Sequence, residues 1–129
     1  LVKILIVDVN ARIKKIDKFL VPFQHAINKA KLEDTYMPWV SYNEGLEDHI
    51  DWKDEKWLMP KDLVSEIVGF YSNTRSLIKF IETINSDRYK EISKDRQIAM
   101  LEGLLGDLKE SYMEGFTLLQ LLQAKQGGR

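Results

Sequence analysis

The chain contains no cysteine among its 129 residues. Disulfide bridges, thiolate nucleophiles and cysteine-ligated zinc sites are therefore excluded. Histidine occurs twice, as His25 and His49, and proline three times. Di-iron helical bundles use Glu-x-x-His pairs, but Pro22 and Leu46 stand three residues before the two histidines. The sequence therefore lacks that di-iron motif.

Long apolar runs and catalytic motifs are also missing. No stretch reaches the ~18 apolar residues that a membrane-spanning helix needs. The sequence has no Gly-x-Ser-x-Gly turn, no Walker loop and no Gly-x-Gly-x-x-Gly. We therefore expect a protein that is not an enzyme, with no catalytic residue and no bound cofactor.

Charge is balanced overall but unevenly distributed. The net charge is −1, with +5 on residues 1–32, −6 on residues 33–62 and zero on residues 63–129. Such a division can steer binding partners, or the acidic stretch can fold back onto the basic one. Nucleic acid is not an expected partner, because the basic segment lacks interleaved aromatics and the aromatic segment is acidic.

A heptad stripe of apolar residues opens the chain and predicts one long helix over residues 1–32. Pro22 falls at an outward position, where it removes a backbone donor and predicts a kink, not a chain reversal. The stripe comprises Val2, Ile6, Val9, Ile13, Ile16, Leu20, Phe23, Ile27 and Ala30.

The first residues also allow a different interpretation. The run VKILIVDVN resembles the first strand of a response-regulator receiver domain, whose magnesium site uses clustered acids. The resemblance covers about nine residues, and Val9 stands where that family places a second acid beside Asp8. No later strand ends in a phosphoacceptor aspartate, and βα alternation is absent, so we favour the helix.

Two further amphipathic helices are predicted. Residues 61–85 follow Pro60 and carry a stripe in which Thr74 is the only polar member. Residues 93–125 begin at Ser93, a good N-cap, and contain three glycines that would permit close approach of another helix. Their stripe is Ile98, Leu101, Leu105, Leu108, Tyr112, Leu119 and Leu122, widened by Phe116, and the glycines are Gly103, Gly106 and Gly115.

These patterns predict a single all-α domain over residues 1–129, an antiparallel bundle of three long helices. The connection over residues 33–60 is long, acidic and rich in tryptophan, and short helices are plausible within it. Trp39, Trp52 and Trp57 can cap the bundle, or they can form a recognition surface for a partner.

A metal or ligand site in this connection is an alternative hypothesis. Acidic residues surrounding His49 could hold a hard cation, although an exposed acidic helix face explains them as well. The candidate ligands are Glu44, Glu47, Asp48, His49 and Asp51. A pocket beneath the tryptophans would make the protein a small-molecule or metal sensor, or an enzyme.

The length of the first helix indicates a function. It would reach ~48 Å against ~38 Å for the second helix, and the surplus falls on the apolar N-terminal residues. We expect Val2, Ile6, Val9 and Ile13 to pair with another helical protein or a second copy as a homodimer. The main hypothesis is therefore a self-associating interaction or scaffold domain.

A membrane tether is the second hypothesis. The chain begins at Leu1, not at methionine, and a transmembrane helix could precede it. The basic residues Arg12, Lys14, Lys15 and Lys18 would then follow the span, as expected on the cytoplasmic side. A cytoplasmic location, with or without such a tether, is the expectation.

Overall fold

The computed structural model describes residues 2–33 and 59–127. These residues form helices and short links, and none of them lies in a β-strand, which confirms the all-α prediction. The elements are α1 (Val2–Leu32), a 3-10 turn (Lys61–Leu63), α2 (Val64–Ile84), α3 (Asp87–Glu91) and α4 (Lys94–Gly127). The predicted connection lies outside the described residues except at Glu33, Met59 and Pro60.

Helix α1 runs unbroken from the first described residue. The segment that resembles a receiver-domain strand is helical from Val2 onward, so that resemblance does not extend to the fold. Pro22 lies inside α1 at an exposed position, and the helix continues past it for ten residues. The prediction that Pro22 does not reverse the chain is confirmed.

The short helix α3 was not predicted from the sequence, in which the second predicted helix ends at residue 85 and the third begins at residue 93. Ser86 caps α3, because its Oγ accepts a hydrogen bond from the Tyr89 backbone N–H at 3.4 Å. Ser93 caps α4 in the same way, accepting from the Arg96 N–H at 3.3 Å, as the sequence predicts. Tyr89 and Gln97 exchange two hydrogen bonds and so attach α3 to α4.

Helix α4 contacts both α1 and α2. The buried side chains form two apolar clusters, one at each end of the long helices. The first cluster contains Leu5, Val9, Ile13, Met59, Leu63, Ile67, Phe70, Tyr71, Leu118 and Leu122. The second contains Ile16, Phe23, Ile27, Leu77, Ile81, Ile84, Tyr89, Leu101, Leu104, Leu105 and Leu108. From the first cluster to the second, residue numbers rise along α1 and α2 and fall along α4.

Two polar contacts show the same relative direction of the helices. Lys94 Nζ at the start of α4 donates to the Glu33 carbonyl at 3.0 Å. Lys125 near the end of α4 lies 2.9 Å from a carboxylate oxygen of Asp62, before α2. That hydrogen bond lowers the pKa of the Asp62 carboxyl below its ordinary value of 3.8. The start of α4 thus lies beside the end of α1, and its end beside the start of α2.

The buried face of α1 is rotated from the predicted stripe near its N-terminus. Leu5 and Arg12 are wholly buried, whereas Val2 and Ile6 are half-buried. A strict heptad repeat drifts against a straight helix of 3.6 residues per turn, so the two registers diverge. The same applies to α4, where Leu104 and Leu118 are buried while Phe116 is 45% exposed.

The N-terminal part of α1 is partly covered by its own chain. Leu5 and Val9 pack in the first cluster with Leu122 of α4. The surplus length of α1 was predicted against the second helix alone, but α4 has 34 residues and reaches this end. Ile4 and Val7 remain 55% and 72% exposed.

Candidate functional site

A polar cluster lies at the border between the two apolar clusters and shares Tyr71 with the first. It contains Asp8 and Arg12 from α1 and Tyr71 and Thr74 from α2. Arg12 Nε donates to Asp8 Oδ2 at 2.8 Å, and an Arg12 terminal N–H group donates to Thr74 Oγ1 at 3.1 Å. The Tyr71 hydroxyl donates to the same Asp8 oxygen. These bonds connect α1 to α2 through side chains.

Helical spacing places these groups together. Asp8 and Arg12 are four residues apart, with the acid nearer the N-terminus, which is the favourable order for an ion pair on a helix. Tyr71 and Thr74 are three residues apart, so their side chains lie on one face of α2. Thr74 Oγ1 also donates to the Tyr71 carbonyl at 2.9 Å, which directs its lone pairs toward Arg12.

Arg12 is 0% exposed, so its charge is removed from water. Burying an unpaired guanidinium would be strongly unfavourable, and here the charge is offset by the Asp8 carboxylate. The Arg12 guanidinium carbon also lies 4.6 Å from the centre of the Tyr71 ring, within range of a cation–π contact. The Asp8 side chain is 18% exposed and so connects the cluster to the surface.

Helix α4 approaches this level closely because Gly115 lacks a side chain. A Cβ at Gly115 would lie 2.6 Å from Phe70 Cε1 and 3.0 Å from Ile13 Cγ1, closer than packed carbon atoms tolerate. Ser111, one turn earlier, is also buried. Gly115 therefore permits the close approach predicted from the sequence, whereas Gly106 has open space beside it.

The cluster can fix the positions of helices, because its hydrogen bonds join buried side chains of α1 and α2. A one-turn shift of α1 past α2 would remove Arg12 from Thr74 and Asp8 from Tyr71, and the buried polar groups would lose these partners. Buried polar residues in helical assemblies select a register in this way. We therefore assign the cluster to setting the register of α1 against α2.

This cluster was not predicted from the sequence. Arg12 was grouped with the lysines of the first helix that would follow a membrane span, whereas the structure buries it completely. Two signals were present: Asp8 and Arg12 have ion-pair spacing beside the apolar stripe, and Thr74 interrupts the second stripe. Pairing Asp8 and Arg12 of the first helix with Thr74 of the second would have predicted the contact between α1 and α2.

The four residues predicted for association lie in two different environments. Val9 and Ile13 are buried against other helices of the same chain, while Val2 and Ile6 pack partly on the first cluster. Trp39, Trp52 and Trp57 lie outside the described residues. So do the candidate metal ligands, which are Glu44, Glu47, Asp48, His49 and Asp51. Among residues 2–33 and 59–127, no group of three or more potential metal ligands comes together.

The outer surfaces carry opposite charges. A groove between α2 and α4 contains two adjoining depressions, and no lysine or arginine lines either of them among the described residues. Their acidic lining residues are Glu66, Asp107, Glu110 and Glu114. The outer face of α1 instead exposes Lys14, Lys15 and Lys18. Both surfaces also expose large apolar side chains.

In the described part of the chain, no helix has a stretch that is both long enough and apolar enough to cross a membrane. Comparison with known proteins gives no relative: no family model, curated protein or solved structure matches the chain. The described residues thus form an all-helical fold in which the buried Arg12 side chain joins α1 to α2.

Proposed function

We propose that this protein is a non-enzymatic helical interaction domain that associates with a second copy of itself through α1. The carrying observation is the outer face of α1, where Ile4, Val7 and Val21 are 55%, 72% and 64% exposed. The inner face of the same helix is already packed within the chain. Exposed apolar side chains grouped on one element are typical of an interaction surface.

The proposed architecture is a bundle of three long helices. Its support is the order of contacts, in which Lys31 near the end of α1 pairs with Glu102 early in α4 at 3.4 Å. The Lys125–Asp62 pair likewise joins the end of α4 to the start of α2. In this arrangement α4 is antiparallel to both α1 and α2, which are parallel to each other, and residues 33–60 connect opposite ends of the bundle.

The structure changes which residues should carry the association. Val9 and Ile13 are buried, so an acidic substitution there would test folding before it tested assembly. We propose Ile4 and Val7 in their place, with Val2 and Ile6 at the edge of the same surface. Trp39, Trp52 and Trp57 stay predicted as capping or partner-contacting residues.

The test is the mass of the full chain in solution, measured by light scattering for Ile4→Asp with Val7→Asp. We expect the wild-type protein to exceed 15.1 kDa and the variant to move toward that value, because two carboxylates would be desolvated in the interface. Val64→Asp with Val68→Asp is the matched control, since these valines are also exposed but lie on α2, away from the proposed α1 surface. A wild-type mass of 15.1 kDa would overturn the proposal, as would a test variant that keeps the wild-type mass.

Two other functions stay predictions. A cytoplasmic domain tethered by a preceding membrane helix is tested by the reading frame upstream of residue 1, where ~10–15 further apolar residues would support it. A sensor or enzyme with a pocket beneath the tryptophans is tested by tryptophan fluorescence against divalent metals and common metabolites. An unchanged spectrum throughout would count against that function.

A further inference from the structure

We infer that the acidic groove between α2 and α4 is the docking site for α1 of a second copy. This inference rests on the proposed self-association and names its two surfaces. The first is the acidic groove already described. The second, called the lysine face, is the outer side of α1 with Ile4, Val7, Lys14, Lys15 and Lys18.

The two surfaces are complementary in charge. Glu66, Asp107 and Glu110 make no ion pair within residues 2–33 and 59–127, and the same holds for Lys14, Lys15 and Lys18. Both sets are therefore available to a partner in this part of the chain. Opposed charges on the rims of an interface raise the association rate and select orientation.

The order of residues along the two helices also matches. Along the groove, Asp107 and Glu110 line one depression, and Glu66 and Glu114 line the other together with Met113 and Leu121, so the exposed apolar side chains lie toward the end of α4. Along α1 the lysine face runs in the opposite sense, from apolar near its N-terminus to basic. Fourteen residues separate Asp107 from Leu121, and fourteen separate Ile4 from Lys18, which is ~21 Å of helix in each case.

An antiparallel alignment of the two helices therefore satisfies both patterns at once. It places Lys18 near Asp107, Lys14 near Glu110 and Ile4 near Leu121 of the second copy. The apolar ends would exclude water from side chains that are now exposed, as Met113 is 63% exposed and Leu121 is 39% exposed. An amphipathic helix laid in a groove is a common mode of recognition.

A charge-exchange experiment tests this docking. Glu66→Lys with Glu110→Lys reverses the groove, and Lys14→Glu with Lys18→Glu reverses the lysine face. Sedimentation should show self-association at least about tenfold weaker for each double variant, because like charges would then face each other. An equimolar mixture of the two double variants should form mixed dimers, because opposite charges then face each other in both contacts. Glu82→Lys with Glu91→Lys is the control, since it makes the same change of charge at exposed positions away from the groove.

Each other outcome has a definite meaning. A wild-type chain that stays monomeric overturns the proposed function and the docking with it. A wild-type chain that associates, with both double variants unaffected, overturns only the docking site. If Lys14→Glu with Lys18→Glu lowers the melting temperature but leaves the mass unchanged, these lysines stabilise their own chain and do not contact a second copy. If it abolishes only binding to anionic vesicles, the face contacts lipid. Either of these results overturns the inference.

Discussion

Arg12 follows the buried row of α1 but differs from its neighbours in carrying a charge. Leu5, Val9 and Ile16 fill the apolar clusters on either side, and Arg12 lies between them with no exposed surface. Its hydrogen bonds to Asp8 and Thr74 make the position tolerable. A buried ion pair of this kind adds little net stability, but removing one partner is costly.

Neutralising Asp8 tests this interpretation. Asp8→Asn should lower the free energy of unfolding by about 3 kcal/mol, because the buried Arg12 would lose its ion pair with Asp8. Asp17→Asn is the matched control on the exposed side of α1, and we expect a change within about 0.5 kcal/mol. Denaturant titration measures both. Adding Arg12→Met to Asp8→Asn should recover part of the stability, since the buried charge is then removed together with its Asp8 partner. Equal effects of Asp8→Asn and Asp17→Asn would contradict the role of the cluster.

The sequence predicted most of the helices but few of the contacts between them. Apolar periodicity located α1, α2 and α4 to within a few residues, because it reports burial directly. It did not find α3, whose five residues are too short to show a period. Nor did it find Arg12 at a buried position, because the Asp8–Arg12 spacing and the polar Thr74 of the second stripe indicate a contact only once the two helices are placed side by side.

At the scale of the element, the glycines of α4 have different roles. Gly115 lies against Phe70 and Ile13, whereas a Cβ added at Gly106 would have no neighbouring atom within 4 Å. Periodicity alone treats the two alike, because both interrupt the same helix. Only the position of the neighbouring helices separates a packing glycine from one that merely lowers helix propensity.

Alanine substitution distinguishes the two glycines. Gly115→Ala should destabilise the protein by about 1–3 kcal/mol, because the added methyl group overlaps Phe70 and α4 must move away. Gly106→Ala should stabilise it by up to ~1 kcal/mol through helix propensity, with no contact changed. Thermal unfolding followed by circular dichroism measures the difference. A stabilising Gly115→Ala would show that α4 does not pack closely at this level.

At the scale of the whole molecule, two surfaces formed by the described residues carry opposite charges. The lysine face belongs to a helix segment of net charge +5, while four carboxylates line the α2–α4 groove. Within one chain these surfaces belong to different helices, and a second copy would bring them together. A contact between two different surfaces closes into a dimer only if each copy offers both at the required angle, and otherwise it extends into a chain.

The concentration dependence of mass for the wild-type chain tests self-association most directly. Sedimentation equilibrium at low and high salt needs no substitution, so a folding defect cannot imitate the result. The account predicts a mass that rises above 15.1 kDa with protein concentration and falls toward it as salt screens the lysine face from the acidic groove. A single species of 15.1 kDa at every concentration and at both salt levels would contradict it.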